Sequence, residues 1–310
     1  MSDLPARLQK LRVRDLLLLE YIAQSGSLQR VAERLHVTQP AVTMALQALE
    51  DAFGAALVQR GRRGVTLTTL GESVLRRVTV GRKELAQAYA LASNPAAPHL
   101  RLGSSPIASL RLLPAALAKL YRQASHEEIR ISVTESAVPA LWEMLNQGDL
   151  DAIVCPMPNA AQLDLTGPGM RVETVGAERM VLVASRARAL GGAHTDMATL
   201  AAQRWILPPK GSLAYPVLAE WFAQSGLPPP LPTITSASFQ TSLAIAAKVG
   251  MVTLAPESVA RDLADALDLE VIETENEWRQ TPLVLAYRVT SECQDIIAML
   301  RSGFASNTSE

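Results

Sequence analysis

The sequence predicts a multidomain chain made of a small all-α-rich head, one long helix and a larger α/β body. Three observations predict it. Apolar residues recur at helical spacing through residues 15–92. A break at Ser93–His99 (SNPAAPH), with two prolines, then ends that periodicity. Beyond it, strand-like runs alternate with helical stretches, the rhythm of sheets covered by helices. A length of 310 residues suits two or more units, and 48% hydrophobic residues suit real cores.

The head is built in order. Asp15–Gln24 reads as a helix with Leu18, Leu19 and Ile22 on one face. Ser25-Gly26 breaks it, and Ser27 stands where it can cap a second helix, Leu28–Leu35, packed through Val31 and Leu35. Thr38 is placed to cap a third, with Pro40 in its first turn. Val42, Leu46, Leu49 and Phe53 form that helix's apolar face, and Gln39, Thr43 and Gln47 form another. Gly54 ends it. Two short strands, Ala56–Arg60 and Val65–Leu67, are joined by Gly61-Arg62-Arg63-Gly64, a wing-like hairpin. Thr69-Leu70-Gly71-Glu72 fits a capping box that opens the long helix. Its stripe of Leu70, Val74, Val78, Leu85, Tyr89 and Ala92 is too long to bury within so small a head, so it reads as a dimerisation helix.

In the body the expected strands are Leu100–Gly103, Ile129–Thr134, Asp151–Cys155, Met180–Ala184, Thr233–Thr235, Met251–Leu254 and Pro282–Val289. The helices are Leu110–Arg122, Val138–Gln147, Val217–Ser225 and Thr241–Val249, over parallel sheets. No internal repeat shows in the sequence, and Ser302–Glu310 reads as a polar tail.

Charge is unevenly spread. Residues 1–93 hold 13 Lys and Arg against 8 Asp and Glu, whereas the rest holds 16 against 22. A basic head on an acidic body suggests that the head alone meets a polyanion. Helix, turn, helix, turn, helix and hairpin is the order of a winged helix-turn-helix, which inserts its third helix into the DNA major groove. Gln39 and Gln47 suit adenine edges, and Thr43 offers a hydroxyl or a methyl. Arg62 and Arg63 suit phosphates or a narrow minor groove, and Ser27 and Gln29 suit phosphate. The competing reading is a helical protein-interaction domain with a solvated Gln/Thr face.

Other chemistries find no support. No GxSxG elbow is present. His36, His99, His126 and His194 are scattered, and no phosphate-binding glycine motif follows a strand. Glu127-Glu128 and Asp149/Asp151 read as solvated faces. No metal or cofactor is expected. Cys155 and Cys293 form no CxxC pair and read as small apolar core residues. The amino terminus lacks a secretion signal and no run of about 18 apolar residues occurs, so a cytoplasmic protein is expected.

The stretch GSLQRVAERLHVTQPAVTMALQALEDAFGAALVQRGRRGVTLTTLGESVL resembles the head of LysR-type transcriptional regulators. It matches at Ser27, Val31-Ala32, Leu35, Thr38-Gln39-Pro40, Leu49-Glu50, Gly54, Leu57-Val58, Arg60, Thr68 and Gly71. It departs at Met44, where that family commonly has a polar residue, and at Val58, where Phe is usual. LRLGSSPIASLRLLPAAL, GDLDAIVCPMP, WILPPKGSLAYPVLAEWFAQSGLPPP and VGMVTLAPESVA resemble the same family's effector domain.

The resemblance implies a winged helix-turn-helix at 1–68, a linker and dimerisation helix at 69–93, and a hinge at 94–99. It then implies a two-lobed body like type-2 periplasmic binding proteins, with lobe I at 100–168 and 275–310 and lobe II at 169–274. DNA would meet Ser27, Gln29, Thr38, Gln39, Pro40, Ala41, Thr43, Met44, Gln47, Arg60, Arg62 and Arg63. A small effector would sit between the lobes near Ser104, Ser105, Pro106, Ile107, Glu135, Ser136, Pro156, Pro208, Gly211, Ser236 and Phe239. Strand ends hold such ligands in α/β sheets, and the Ser104-Ser105-Pro106 turn suits a carboxylate. Ala137 and Val138, where small polar residues are common in the family, make that cleft less polar. The expected partners are double-stranded DNA with an imperfect palindrome, a small-molecule effector, further copies of the chain as homodimer or homotetramer, and RNA polymerase. A regulator that senses no small molecule, or a solute-binding protein or enzyme built on the body, are the alternatives.

Overall fold

The computed structural model describes residues 5, 7–8, 11–61, 64–93, 99–123, 129–158, 169–191, 195–212, 214–274, 280–289 and 293–304. The chain forms two compact units.

The amino-terminal unit opens with α1 (Val13–Ser25), α2 (Leu28–Leu35) and α3 (Gln39–Phe53). Their apolar stripes meet in one core: Leu18 and Ile22, Leu28, Val31 and Ala32, Val42 and Leu46 are all buried. Leu35 is not among them; it is exposed, because α2 turns its Leu28–Val31–Ala32 edge inward. Ser27 caps α2, its hydroxyl accepting the Arg30 N–H at 3.5 Å. Thr38 holds the capping position of α3 without a side-chain bond. Gly54 ends α3 in the left-handed region at φ 70°, where a side chain is strained.

The antiparallel strands β1 (Val58–Gly61) and β2 (Gly64–Leu67) pair from Val58–Leu67 to Gly61–Gly64. The hairpin is tied to α3 by Glu50, whose carboxylate accepts the N–H groups of Leu57 (2.8 Å) and Val58 (3.1 Å). The long helix α4 (Thr69–Ser93) follows. Its cap is Thr68, one residue before the expected Thr69. The Thr68 hydroxyl accepts the Gly71 N–H at 2.9 Å and donates to the Ala56 carbonyl at 3.0 Å, so it also fastens the helix to the wing. Gly71 is required by close approach: a Cβ there would lie 1.9 Å from the Leu57 carbonyl oxygen.

The second unit holds two five-stranded sheets. The first contains β3 (His99–Ser104), β4 (Arg130–Glu135), β5 (Ala152–Pro156), β6 (Met170–Glu178) and β12 (Thr281–Arg288), in the order β4-β3-β5-β12-β6. The second contains β7 (Met180–Ser185), β8 (Trp205–Leu207), β9 (Pro232–Thr235), β10 (Val252–Pro256) and β11 (Leu269–Ile272), in the order β9-β8-β10-β7-β11 read from the matching edge. The two orders correspond strand for strand. In each, a central strand pairs in parallel with two neighbours, β3 with β4 and β5, and β8 with β9 and β10. In each, the next strand runs antiparallel, β12 between β5 and β6, and β7 between β10 and β11. The sheets are therefore mixed rather than parallel, and the body contains a structural repeat that no sequence similarity announces.

Helices cover both faces of each sheet. In the first, α6 (Leu112–Gln123) and α12 (Gln294–Phe304) bury Leu113, Leu120, Ile296, Leu300 and Phe304 on one face, and α7 (Val138–Asn146) buries Leu141, Trp142 and Leu145 on the other. In the second, α8 (Met197–Ala201) and α9 (Ala214–Gln224) cover one face, and α10 (Phe239–Val249) and α11 (Glu257–Leu267) the other. β7 shows why it must be covered twice, since Met180, Leu182 and Ala184 enter one core and Val181 and Val183 the other.

Three expectations are corrected here. Lobe I extends past residue 168: β6 pairs with β12 in the first sheet, so the chain crosses at Arg179. Asp151 is not on a solvated face. It is buried and receives Arg101 through Nε (3.0 Å), Nη2 (2.7 Å) and the backbone N–H (2.8 Å), which clamps β3 to the start of β5. The polar tail begins later than Ser302, because α12 runs to Phe304, which is fully buried. Glu127-Glu128 lie outside the described residues.

Candidate nucleic-acid interface and cleft

α3 divides sharply into two faces. Val42, Leu46 and Leu49 are buried in the head. Gln39, Pro40, Ala41, Met44, Gln47 and Ala48 are exposed on the opposite side, and Thr43 is half-buried. The helix contains no Lys or Arg. Its polar groups are partly engaged locally: Thr43 donates its hydroxyl proton to the Gln39 carbonyl (3.1 Å), and the Gln47 amide donates to Asp51 (3.0 Å). Met44 stands 73% exposed between the short side chains of Ala41 and Ala48.

Charge around α3 comes from other elements. Arg60 is exposed at the outer end of β1, and Arg30 and Gln29 are exposed on α2. Gln29 lies against Glu33 at 3.4 Å. Arg62 and Arg63 lie outside the described residues. Sequence reasoning missed two contributors. Arg34 stacks 4.5 Å over the Tyr21 ring and donates to Gln24 at 2.7 Å, which holds a cation on the head's surface. Glu50 sets the wing, as described above; its signal was present as the Leu49-Glu50 pair.

Along α4, Leu70, Leu85 and Tyr89 are exposed, the last two at 56% and 77%. Val78 is half-buried. Val74 is spent inside the head, packed with Leu75 against Leu19, Leu49 and Leu57.

In the body, the predicted first-lobe residues converge at the carboxyl ends of three adjacent strands. The Ser105 N–H donates to the Val154 carbonyl of β5 (3.0 Å), and the Ser136 N–H to the Ser104 carbonyl of β3 (3.1 Å). Pro156 closes β5 and is buried, and Glu135 is exposed at the end of β4. A five-residue helix, α5 (Pro106–Leu110 in the chain), begins directly after Ser105, earlier than the expected helix from Leu110. The hydroxyls of Ser105 and Ser109 are buried and find no hydrogen-bond partner among the described residues. Buried donors of this kind are costly unless something bonds them.

The second lobe repeats the pattern. The Ser236 N–H donates to the Leu207 carbonyl at the end of β8 (3.0 Å), with half-buried Pro208 next and exposed Gly211 beyond it. The Ser236 hydroxyl is used within its own turn, donating to the Ser238 carbonyl at 3.2 Å. Ser238, which the sequence did not single out, caps α10 by accepting the Thr241 N–H at 3.2 Å. Ile107 of α5 and Phe239 of α10 both pack against the second lobe's cluster around Leu207 and Leu254. Ile107 therefore joins the two lobes.

No group of three or more metal-binding side chains occurs among the described residues. Cys155 and Cys293 are both buried and form no disulfide, and burial pushes the Cys155 thiol up to about 12. No described helix is long and apolar enough to cross a membrane.

Comparison with known proteins adds five findings. Residues 13–72 match the family model described as bacterial regulatory helix-turn-helix protein, lysR family. Residues 93–304 match the LysR substrate binding domain. The chain is 36% identical over 149 residues to the HTH-type transcriptional regulator PcaQ of Agrobacterium fabrum, covering 47% of each chain. It is 30% identical over 223 residues to the HTH-type transcriptional regulator GalR of Pseudomonas putida, covering 70% of this chain and 54% of that one. The match thus spans about half the length of these curated relatives. Among solved structures, ArgP from Mycobacterium tuberculosis superposes with a TM-score of 0.64 at 20% identity, over 97% of this chain and 98% of that one, which is a likeness of fold.

Proposed function

The chain belongs to the LysR family of transcriptional regulators, and from that premise we propose that it binds operator DNA through α3 and answers a small molecule held at the strand ends of the body. The observation that carries the DNA reading is the division of α3. Its inner face is engaged in the head, so Gln39, Met44 and Gln47, with half-buried Thr43, present a surface left exposed by the described residues of the head. On this reading Ser27, Thr38, Pro40 and Ala41 line the approach, exposed Gln29 and Arg60 contact phosphate, and Arg62 and Arg63 do so by their sequence position between β1 and β2. Two heads joined through α4 would read an imperfect palindrome, as two-fold symmetry demands. Contact with RNA polymerase and a place in the cytoplasm, where the DNA is, belong to the same reading.

The Ser105 hydroxyl supports the effector site, since it is a buried polar atom without a hydrogen-bond partner among the described residues, next to Ser104 and Pro106 at the end of β3. A regulator without a small-molecule effector is the second reading. It is favoured by the Ser236 hydroxyl, which is consumed in its own turn, and by apolar Ala137 and Val138.

The test is binding of the purified full chain to a pool of random duplexes, followed by competition across a salt series. Enrichment of one palindromic site that resists random competitor, with Gln39→Ala weakening that site by about 1–3 kcal/mol and random DNA little, supports the reading. Equal, salt-dependent binding to all DNA overturns it. A thermal shift of the body by a candidate effector, about 2.7 kcal/mol at 100 times its Kd, separates the two readings.

A further inference from the structure

We propose that Met44 reads the 5-methyl group of a thymine in the major groove and is a specificity-determining residue of the head. The inference rests on the DNA-binding reading above and goes beyond it by naming the base and the atom.

Met44 projects from the middle of the uncovered face of α3, and its 73% exposure is the highest of any large apolar residue in the described head. Single exposed apolar residues are ordinary on protein surfaces, so what points to an apolar partner is the place of this thioether on the outer face of α3 rather than its exposure. Its surroundings select that partner. Ala41 and Ala48, its neighbours three before and four after, are too short to share the contact, so the methionine tip stands clear of the helix. No Lys or Arg lies on α3, so this helix lacks the side chains that most commonly recognise the guanine O6/N7 pair. Apart from exposed Asp51 near the carboxyl end, which accepts from Gln47, the outer face offers amide, hydroxyl and apolar groups: Gln39, half-buried Thr43, Met44 and Gln47.

The floor of the major groove offers one apolar feature, the thymine methyl, and adenine is the base whose edge suits a glutamine amide. The residues of α3 therefore converge on A·T pairs. A methionine has three rotatable bonds and a polarizable sulfur, so it can lie over a methyl group at small entropic and steric cost. Among the described residues Arg30 and Arg34 lie on α2 and Arg60 near the end of β1, on elements other than α3, so they suit the phosphates and leave the base contact to α3.

The experiment uses the site enriched by the full chain from random duplexes. Each thymine is replaced in turn by deoxyuridine, which deletes the methyl group and keeps the base pair. Binding is then measured for the native chain, for Met44→Ala and for Met44→Leu. One thymine per half-site is expected to cost the native chain about fourfold when replaced, the equivalent of one buried methyl group. Met44→Ala should bind the thymine site about as weakly as the native chain binds the uracil site and show no further loss on uracil. Met44→Leu should keep most of the discrimination, which also guards against a loss of folding in the alanine variant. Uniform affinity of the native chain across all uracil positions would overturn the proposal while leaving the regulator reading intact. An undiminished uracil effect in Met44→Ala would do the same, since another residue would then hold the methyl. Failure to enrich any site would overturn the DNA-binding reading and the proposal together.

Discussion

Arg179 and Glu257 form a two-bonded ion pair at the place where the chain leaves the first sheet of the body for the second. The guanidinium donates through Nε at 2.8 Å and Nη2 at 2.7 Å, and the Glu257 N–H returns to the Arg179 carbonyl at 2.7 Å. Arg261 adds two bonds to the same carboxylate, at 3.0 and 2.8 Å. Beside them Glu178, the last residue of β6, accepts from the backbone of Arg179 and from the N–H and hydroxyl of Ser258 on α11. The end of a first-lobe strand is thus fastened to a second-lobe helix.

The Arg179 hydrogen bonds, with Arg261 adding to them, outweigh partial burial and hold the Glu257 carboxyl at about 2, below the usual 4.5. A carboxyl held down when folded contributes stability that is full above pH 4.5 and lost as the pH falls through about 2. Glu257→Gln is expected to destabilise the body at pH 7 by about 1 kcal/mol, a figure discounted for the solvent that reaches Arg179. The difference from the native chain should shrink below pH 4.5. All four tryptophans lie in the body, so urea unfolding followed by tryptophan fluorescence isolates this transition. A difference that stays constant from pH 7 to pH 2.5 would remove the ion pair as its source.

The crossing at Arg179 also shows where the sequence stopped being legible. Head elements are specified by near neighbours. The Val42–Leu46–Leu49 stripe and the Ser27 cap are visible within a turn or two, and the structure places them in the core and at the helix start. β6 is an edge strand with one fully buried residue, Val175, and its membership of the first sheet depends on β12, more than 100 residues later. Nothing local in Met170–Glu178 carries that pairing. The repeated strand order is hidden for a similar reason: pairing geometry is shared by β3 and β8, while His99–Ser104 and Trp205–Leu207 share no pattern of residues. At the candidate cleft, residue types were legible but their partners were not. Ser105 and Ser236 look alike in sequence, yet one hydroxyl is unpartnered among the described residues and the other is bonded in its own turn.

Gly71→Ala is expected to remove the head and spare the body. The added methyl would stand 1.9 Å from the Leu57 carbonyl oxygen, a backbone atom fixed by the Thr68 N–H at 2.9 Å and unable to swing aside. The overpacking cost should reach about 3 kcal/mol. Circular dichroism should show the loss of helix at lower temperature, and DNA binding should vanish, with the tryptophan-reported transition unchanged. Normal DNA affinity in this variant would mean that α4 can shift away from the wing without consequence.

Both cysteines are expected to be inert in the native chain. Cys155 is fully buried, and with its thiol pushed up to about 12 almost no thiolate exists near neutral pH. Cys293 is buried as well. An aromatic disulfide reagent at pH 8 should label neither within minutes and both in guanidinium chloride, and peroxide should leave DNA binding unchanged. Rapid labelling of a native thiol would reveal a local opening of the first lobe.

Leu85 and Tyr89 supply the most direct test of how copies of the chain assemble. They lie one helical turn apart on α4, exposed at 56% and 77%, on the stripe that begins at Leu70 and passes Val78. Val74 does not contribute, because the head's own core takes it. An isolated helix of this length gains little from propensity alone, so an apolar stripe left open to water is expected to find a partner stripe. Light scattering should show the native chain as a dimer or larger. Leu85→Asp with Tyr89→Asp should place like charges across the two-fold interface and yield a monomer with a normal tryptophan-reported unfolding transition. The monomer should keep its weak affinity for a single half-site and lose the gain that comes from binding two half-sites at once. A double variant that remains dimeric would move the interface off α4.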